Sequence, residues 1–386
     1  MKPRILHISA DFPDVIQPTK TRAIAGLVEG TADRFNHLVA SLNRQNGLAG
    51  FLTPGRVLEC HHANSVLAIR YAAPPATAAV ASPMMRLTTE LMHQLKQADF
   101  KPDLIQAHKL TVEGMIAQQL SEHFGVPLVL TLQGNTDQKL LQRRPDRLPS
   151  IRRIWREAKA VMAFAPWTAS WASERLGKRS SEVSIIPCIL PYDKVIPPRI
   201  CDHLVRTAFH LDFWRNKNVT MLLQAIARLA TKFPDVRLEI AGDGSTVAYN
   251  AIAAQVRHLG LEQRVSIVGP IAPEAIQEWF NGAAAFALPA RRESFGMVFA
   301  ESLLGGTPVA YPRNAAIEGF FQHKRFARGV SAHDACELKE ALADFLTNQQ
   351  EIKTELATAQ QSGELNFFKR EKVLNAYAQF LTQACS

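Results

Sequence analysis

The sequence contains no Cys-x-x-Cys pair, no long apolar run and no low-complexity tract. Each absence removes a class of protein. Cys60, Cys188, Cys201, Cys336 and Cys385 are odd in number and scattered, which excludes a disulfide framework and a zinc site and leaves ordinary reduced thiols. The longer apolar stretches, Ala160–Pro166 and Ala283–Pro289, fall far short of the ~20 residues needed to span a bilayer, so no membrane helix is expected. The start, MKPRILHISADFP, lacks the long apolar region of a secretory signal, and the expected location is the cytoplasm.

What is present is globular: 47% hydrophobic and 20% charged residues over 386 positions, enough for two domains with a core each. The net charge of +9 is uneven, with 24 Lys+Arg against 16 Asp+Glu through Lys194 and 20 against 19 beyond it. Much of the excess lies between Lys139 and Lys159, where eight cations face only Asp146 and Glu157. This segment reads either as a solvated surface or as a contact for a phosphate-bearing partner such as an anionic membrane face, with Ile151, Ile154 and Trp155 as an apolar anchor on one helical face or as packing against the sheet. It lacks the interleaved aromatics of a nucleic-acid site, and no nucleic-acid partner is expected.

Short β-branched runs alternate with helical stretches in both halves, the pattern of parallel sheets covered on two faces. Strands are expected at 4–9, 37–42, 66–71, 104–108, 128–133, 161–165 and 183–187, then at 204–209, 236–241, 265–268, 284–288 and 308–310. Pro187, Pro191, Pro197 and Pro198 mark a linker. The expected organisation is an N-terminal domain over 1–188, a linker over 189–202, a C-terminal domain over 203–364, and a final helix over 365–386 packing back on the first domain. Two Rossmann-like domains place their ligands at the carboxyl ends of the strands, around a shared cleft.

The densest chemical signal is AAAFALPARRESFGMVFAESLLGGTPVA, a buried strand that meets a polar turn and then a helix. Glu293 precedes that helix and Glu301 follows eight positions on. Unpaired amides of Phe295, Gly296 and Met297 at the helix start, together with the helix dipole, suit a phosphate. His108 closes the apolar strand LIQAH at its carboxyl end.

Around these residues the chain resembles the retaining GT-B glycosyltransferases of family four. ESFGMVFAE is similar to that family's E-x7-E motif, and the likeness continues over roughly Lys217–Ala310, including the Gly-Asp-Gly turn at 242–244. It is weaker, though collinear, over the first half. The resemblance implies an α/β GT-B fold, two Rossmann-like domains with parallel sheets facing a cleft. It also implies an enzyme taking a hexose from a nucleotide-diphosphate sugar, with no cofactor. By the same resemblance His108 and Glu293 meet the transferred sugar, Glu301 holds the ribose, and Lys217, aided by Arg215, balances the diphosphate. Gly242 and Ile271 line the base pocket beside Phe295, Gly296 and Met297. The sequence has no Asp-x-Asp, and a metal-free mode is expected, with no metal site.

The chain departs from the family pattern in four places. Leu211 and Asp212 stand where Gly-Arg is expected, Gln17 and Pro18 stand where a Gly-Gly loop is expected, and Gln106 and Gln133 replace histidines. Lys20, Thr21 and Arg22 at the next helix start are alternatives for phosphate binding or an ordinary basic helix start, and Gln133, Gly134 and Asn135 are placed in the cleft by position. The leading expectation is transfer to a lipid-linked or oligosaccharide acceptor in polysaccharide or glycolipid assembly, at the inner membrane face. A nucleotide-sugar 2-epimerase and a scaffold that has lost activity are the alternatives.

Overall fold

The computed structural model describes residues 2–74 and 81–386. The chain divides into two compact units: Met1–Phe164 with Thr168–Ile189 and Val373–Ser386, and Ala165–Trp167 with Leu190–Lys372.

In the first unit, strands β1 (Arg4–Ser9), β2 (Asn36–Gln45), β3 (Val57–Ala63), β4 (Val66–Ala72), β5 (Leu104–Ala107), β6 (Leu128–Leu132), β7 (Ala160–Ala163) and β8 (Val183–Ile185) form one sheet. Its order is β3-β4-β2-β1-β5-β6-β7-β8. All neighbours pair in parallel except the hairpin β3–β4. The intervening helices are α1 (Ala23–Glu29), α2 (Leu48–Leu52), α3 (Ala81–Gln97), α4 (Val112–Phe124), α5 (Asn135–Arg143), α6 (Leu148–Glu157) and α7 (Pro166–Leu176).

The second unit carries β9 (Leu204–Ala208), β10 (Arg237–Ala241), β11 (Val265–Gly269), β12 (Ala285–Ala287), β13 (Val309–Pro312) and β14 (Ala327–Val330), in the parallel order β11-β10-β9-β12-β13-β14. Its helices are α8 (Val219–Leu229), α9 (Thr246–His258), α10 (Ile276–Asn281), α11 (Met297–Leu304), α12 (Ala335–Thr347) and α13 (Gln349–Gln361). Residues 373–385 of the last helix, α14 (Arg370–Cys385), belong to the first unit.

Strand order reverses at β1 in one sheet, with β2 and β5 on its two sides, and at β9 in the other, with β10 and β12. Such a reversal opens a crevice at the carboxyl ends of the flanking strands, because their following loops leave in opposite directions. The loops after β1 and β5, and those after β9 and β12, are therefore the ligand-bearing ones.

The period of two along the first sheet separates its faces. Leu6, Ile8, Ile105, Ala107, Leu130 and Leu132 join the apolar core with residues of α3, α4 and α6. The alternate positions His7, Gln106 and Thr131 point the other way and are fully buried too.

The structure adds a strand to those expected and decides one open alternative. Residues 57–63, outside the expected strands, form a strand joined to β4 through Asn64 and Ser65, both left-handed at φ 47° and 63°. That turn is of the primed hairpin kind but carries Asn-Ser instead of the Asn-Gly that announces it. In the basic segment, Ile151, Ile154 and Trp155 are not an exposed anchor. All three lie within the core at 0–1% exposure, and the Trp155 indole donates to the Gly177 carbonyl at 2.8 Å.

Candidate functional site

In the second unit the loops after β9 and β12 are locked edge to edge by a short run of asparagines. Asn218 takes a left-handed conformation at φ 61° to start α8, and its buried side-chain amide donates to the carbonyls of Pro289 and Ala332. Asn216 accepts from the Arg291 amide at 2.8 Å and donates to the Arg292 carbonyl. Lys217 between them is thereby carried to Glu293, Nζ to Oε2 2.7 Å, with both side chains mostly buried. The residues expected for the diphosphate and for the sugar are thus an ion pair at the switch point of the sheet.

Glu293 leads into α11, whose entry is shaped by Phe295 and Gly296. The Phe295 ring is buried against the edges of Phe320 and Phe368 and pins the turn from below. Gly296 caps the helix at φ 71°, and a Cβ there would lie 2.6 Å from the Phe299 ring, so only glycine fits. Among the described residues no backbone acceptor meets the amides of Phe295, Gly296 and Met297. Glu301 lies one turn beyond Met297 and is buried, and its carboxyl has no hydrogen-bond partner among the described residues. Burial pushes its carboxyl up to about 7.

Gly242 is required for packing: its φ is 143°, and a Cβ would fall 1.8 Å from the Phe209 carbonyl oxygen. Leu211 and Asp212, which replace the expected Gly-Arg, complete this contact. The Leu211 amide donates to the Asp243 carbonyl, and the Asp212 carboxylate accepts from the amide and hydroxyl of Ser245 at the head of α9. Those two hydrogen bonds hold the Asp212 carboxyl below its ordinary value. Arg215 is exposed and stacks on Trp214, 4.4 Å from guanidinium carbon to ring centre, two residues from Lys217. Ile271 is half-buried just past β11. A residue that sequence reasoning missed is Trp167. Its indole donates at 3.0 Å to the carbonyls of both Ser294 and Ala316, bracing the Glu293 turn from a distant point in the chain.

In the first unit the loop after β1 is built on acids rather than glycines. Asp14 accepts from the amides of Ile16 and Gln17, from Ser41 Oγ and Asn43 Nδ2, and from Lys20 Nζ at 3.1 Å. Lys20 is consequently drawn inward, Arg22 forms a surface pair with Glu29, and α1 starts only at Ala23 with seven residues. Lys20 and Arg22 are thus each paired with a carboxylate, Asp14 and Glu29. Thr21 is exposed and its hydroxyl accepts from the Ala23 amide.

Beside this loop, Lys109 Nζ lies 2.6 Å from Asp11 and 3.7 Å from Glu113. Glu113 is fully buried and accepts from the Ala10 amide with Oε1, while Oε2 has no partner among the described residues and burial pushes the carboxyl up to about 8. Gln133 and Gly134 lead into α5, Gly134 at φ 104°, and the Gln133 Nε2 is buried without a partner.

His108 does not present its ring to solvent. The strand's parity turns it to the face of Gln106 and His7, where it is wholly buried, with Nε2 3.0 Å from His7 Nδ1 and Nδ1 3.4 Å from Thr131 Oγ. His7 Nε2 continues to His37 Nδ1 at 2.8 Å, and His37 Nε2 to Thr31 Oγ at 3.1 Å. One fixed end sets every proton. Thr31 donates to the Leu27 carbonyl, so it accepts from His37; His37 then accepts from His7, His7 from His108, and His108 from Thr131. Thr131 accepts in turn from Gln106, which accepts from the Tyr377 hydroxyl. The result is a one-way chain of neutral Nε2–H imidazoles across the sheet. Burial, the largest cause in each case, holds His37 at about 4, His108 at about 3 and His7 well below its ordinary value.

The family model of the glycosyl transferases group 1 matches residues 206–348, and that of the glycosyl transferase 4-like domain matches residues 29–188. A D-inositol 3-phosphate glycosyltransferase from Pseudarthrobacter chlorophenolicus is 28% identical over 266 residues, 64% of this chain and 63% of that protein, so the match spans less than two thirds of the relative's length. Mannosylfructose-phosphate synthase from Agrobacterium fabrum is 26% identical over 172 residues, 40% of this chain and 38% of that protein. Among solved structures, sucrose-phosphate synthase from Thermosynechococcus elongatus has the same fold at a TM-score of 0.72, with 19% identity and 99% of both chains covered. Anabaena HepE, in complex with UDP and glucose, has a TM-score of 0.68, with 18% identity over 99% of this chain and all of that one.

Proposed function

We propose a reaction for this chain from one premise, that it belongs to the glycosyl transferases group 1. The reaction is transfer of a hexose, with retention, from a nucleoside-diphosphate sugar to a lipid-linked or oligosaccharide acceptor. The observation that carries it is the Lys217–Glu293 pair at the head of α11, with Glu301 buried a little over one turn behind.

Each group has a task its chemistry fits. Lys217 and the amides of Phe295, Gly296 and Met297 supply positive potential where the diphosphate develops charge, as a metal would elsewhere, so the donor binds without one. As the diphosphate draws the Lys217 ammonium, the Glu293 carboxylate exchanges that partner for hydroxyls of the sugar, which it accepts as charge-assisted bonds. Glu301 accepts from the ribose hydroxyls. The bond from the sugar's anomeric carbon to the phosphate oxygen breaks with its electron pair on the diphosphate. The acceptor oxygen bonds to the same face of that carbon, and its proton passes to the departing phosphate oxygen. His108, wholly buried and bonded at both nitrogens, braces the sheet of the first unit.

The test is a thermal-shift series with UDP, GDP and ADP in excess EDTA. One of the three is expected to raise the melting temperature by mass action, and Lys217→Ala to abolish the rise. Stabilisation that disappears with EDTA rules out the metal-free reading.

A further inference from the structure

In the first unit, large apolar side chains gather at the carboxyl edge of the sheet. Helix α2, directly after β2, exposes Leu48, Phe51 and Leu52 at 76%, 60% and 72%. Its other side is pressed flat: Gly50 is buried, and a Cβ there would fall 2.3 Å from the Ala73 carbonyl, so the helix cannot roll to hide these side chains. The same edge carries Val15 after β1 and Met85 early in α3, both more than half exposed. So much contiguous apolar surface on one short element marks a contact face.

The charge around it is mainly positive, although Asp33 and Glu90 bound it and Arg34 pairs with Asp33. Residues 34–89 contain five arginines and a single acidic residue, Glu59, which Arg70 occupies at 3.1 Å. Arg56, just beyond α2, and Arg86, next to Met85, are exposed and carry no ion pair among the described residues. Exposed Leu and Phe flanked by unpaired arginines fit the boundary of an anionic bilayer, where the apolar groups enter at headgroup depth and each nearby cation meets a lipid phosphate. A second copy of this chain would bring Arg56 and Arg86 against like charges.

We propose that the first unit docks reversibly on an anionic lipid surface through α2, with Leu48, Phe51 and Leu52 inserted and Arg56 and Arg86 at the phosphates. No helix among the described residues is long and apolar enough to cross a membrane, and this contact needs none. The docking face includes Val15 of the loop after β1. It rests on the glycosyltransferase reading only for its purpose, the approach to a lipid-linked acceptor; the contact itself is measured without turnover.

The experiment is flotation of the full chain with phosphatidylcholine vesicles made with and without phosphatidylglycerol, at low and high salt. Wild type is expected to float with the anionic vesicles at low salt only. The triple variant Leu48→Ser, Phe51→Ser, Leu52→Ser and the pair Arg56→Glu, Arg86→Glu should each bind at least about tenfold more weakly, a loss of about 1.4 kcal/mol. Both should keep the wild-type melting temperature and its rise with nucleoside diphosphate, which separates lost docking from lost fold or lost donor binding. Phe51→Trp should shift its emission to the blue on anionic vesicles. Wild type that stays with the pellet, variants that float as well as wild type, or light scattering that shows the patch holding a dimer overturns the proposal.

Discussion

Glu301 offers the sharpest test of the donor site because its burial has a cost that can be measured as a function of pH. The change is Glu301→Gln, which keeps the shape and removes the charge. The folded-state value of about 7 lies above the ordinary 4.5, so the native protein holds this proton where the unfolded chain has released it. The sign follows from linkage: stability is highest below the unfolded value, falls as pH rises through the window from 4.5 to about 7, and is flat above it. A difference of roughly 2.5 units at 1.36 kcal/mol each makes the penalty about 3 kcal/mol by pH 8. Glu301→Gln should therefore match wild type near pH 4.5 and exceed it at pH 8 by up to that amount, roughly 6–12 °C in melting temperature for a unit of this size. Ribose hydroxyls donate to the ionised form, so nucleoside-diphosphate affinity of the wild type should rise as pH passes 7, whereas the variant binds weakly and responds less to pH. Calorimetry at four pH values with and without the nucleotide reads both effects. A variant less stable than wild type at pH 8, or one with the wild-type slope between pH 5 and 8, refutes the assignment of Glu301 as a buried, unpaired carboxyl waiting for a ligand.

Three other outcomes are expected. His7→Phe leaves a donor on His108 and an acceptor on His37 buried without partners, at about 1–3 kcal/mol each, and should lower stability by the sum; in the wild type, long-range nitrogen–proton spectra should show all three imidazoles as neutral Nε2–H from pH 5.5 to 8, and an Nδ1–H form would break the chain as derived. Trp167→Phe removes one donor shared by the Ser294 and Ala316 carbonyls, and should lower kcat through the loosened Glu293 turn more than it weakens nucleotide binding; equal losses in both would make Trp167 merely a packing residue. Gly242→Ala drives a Cβ into the Phe209 carbonyl and should destabilise by more than ~4 kcal/mol in denaturant unfolding, so a soluble, wild-type-like protein would contradict the packing described.

The alternation of short apolar runs with helices was sufficient to read two parallel α/β sheets, because burial on both faces leaves a pattern in the letters themselves. Lys217, Glu293 and Glu301 were singled out by likeness to the family's lysine and E-x7-E motif, and the fold brings Lys217 and Glu293 into contact. What the letters left open has a common source as well. Lys20 and Arg22 read as unpaired cations until Asp14 and Glu29, six and seven positions away, pair with them. Ile151, Ile154 and Trp155 make the same helical stripe whether it faces lipid or core, and Leu48, Phe51 and Leu52 in a five-residue helix make too short a pattern to attract notice.

The sequence by itself determined the class of fold and most of the strand positions, since local periodicity is a property of neighbouring residues. Only the tertiary structure decided which cations remain free, that Trp167 braces the Glu293 turn from 127 residues away, and that His7, His37 and His108 point into one another rather than into solvent. Those outcomes depend on strand order and on which face of each element is covered, and both are fixed by contacts between residues far apart in the chain.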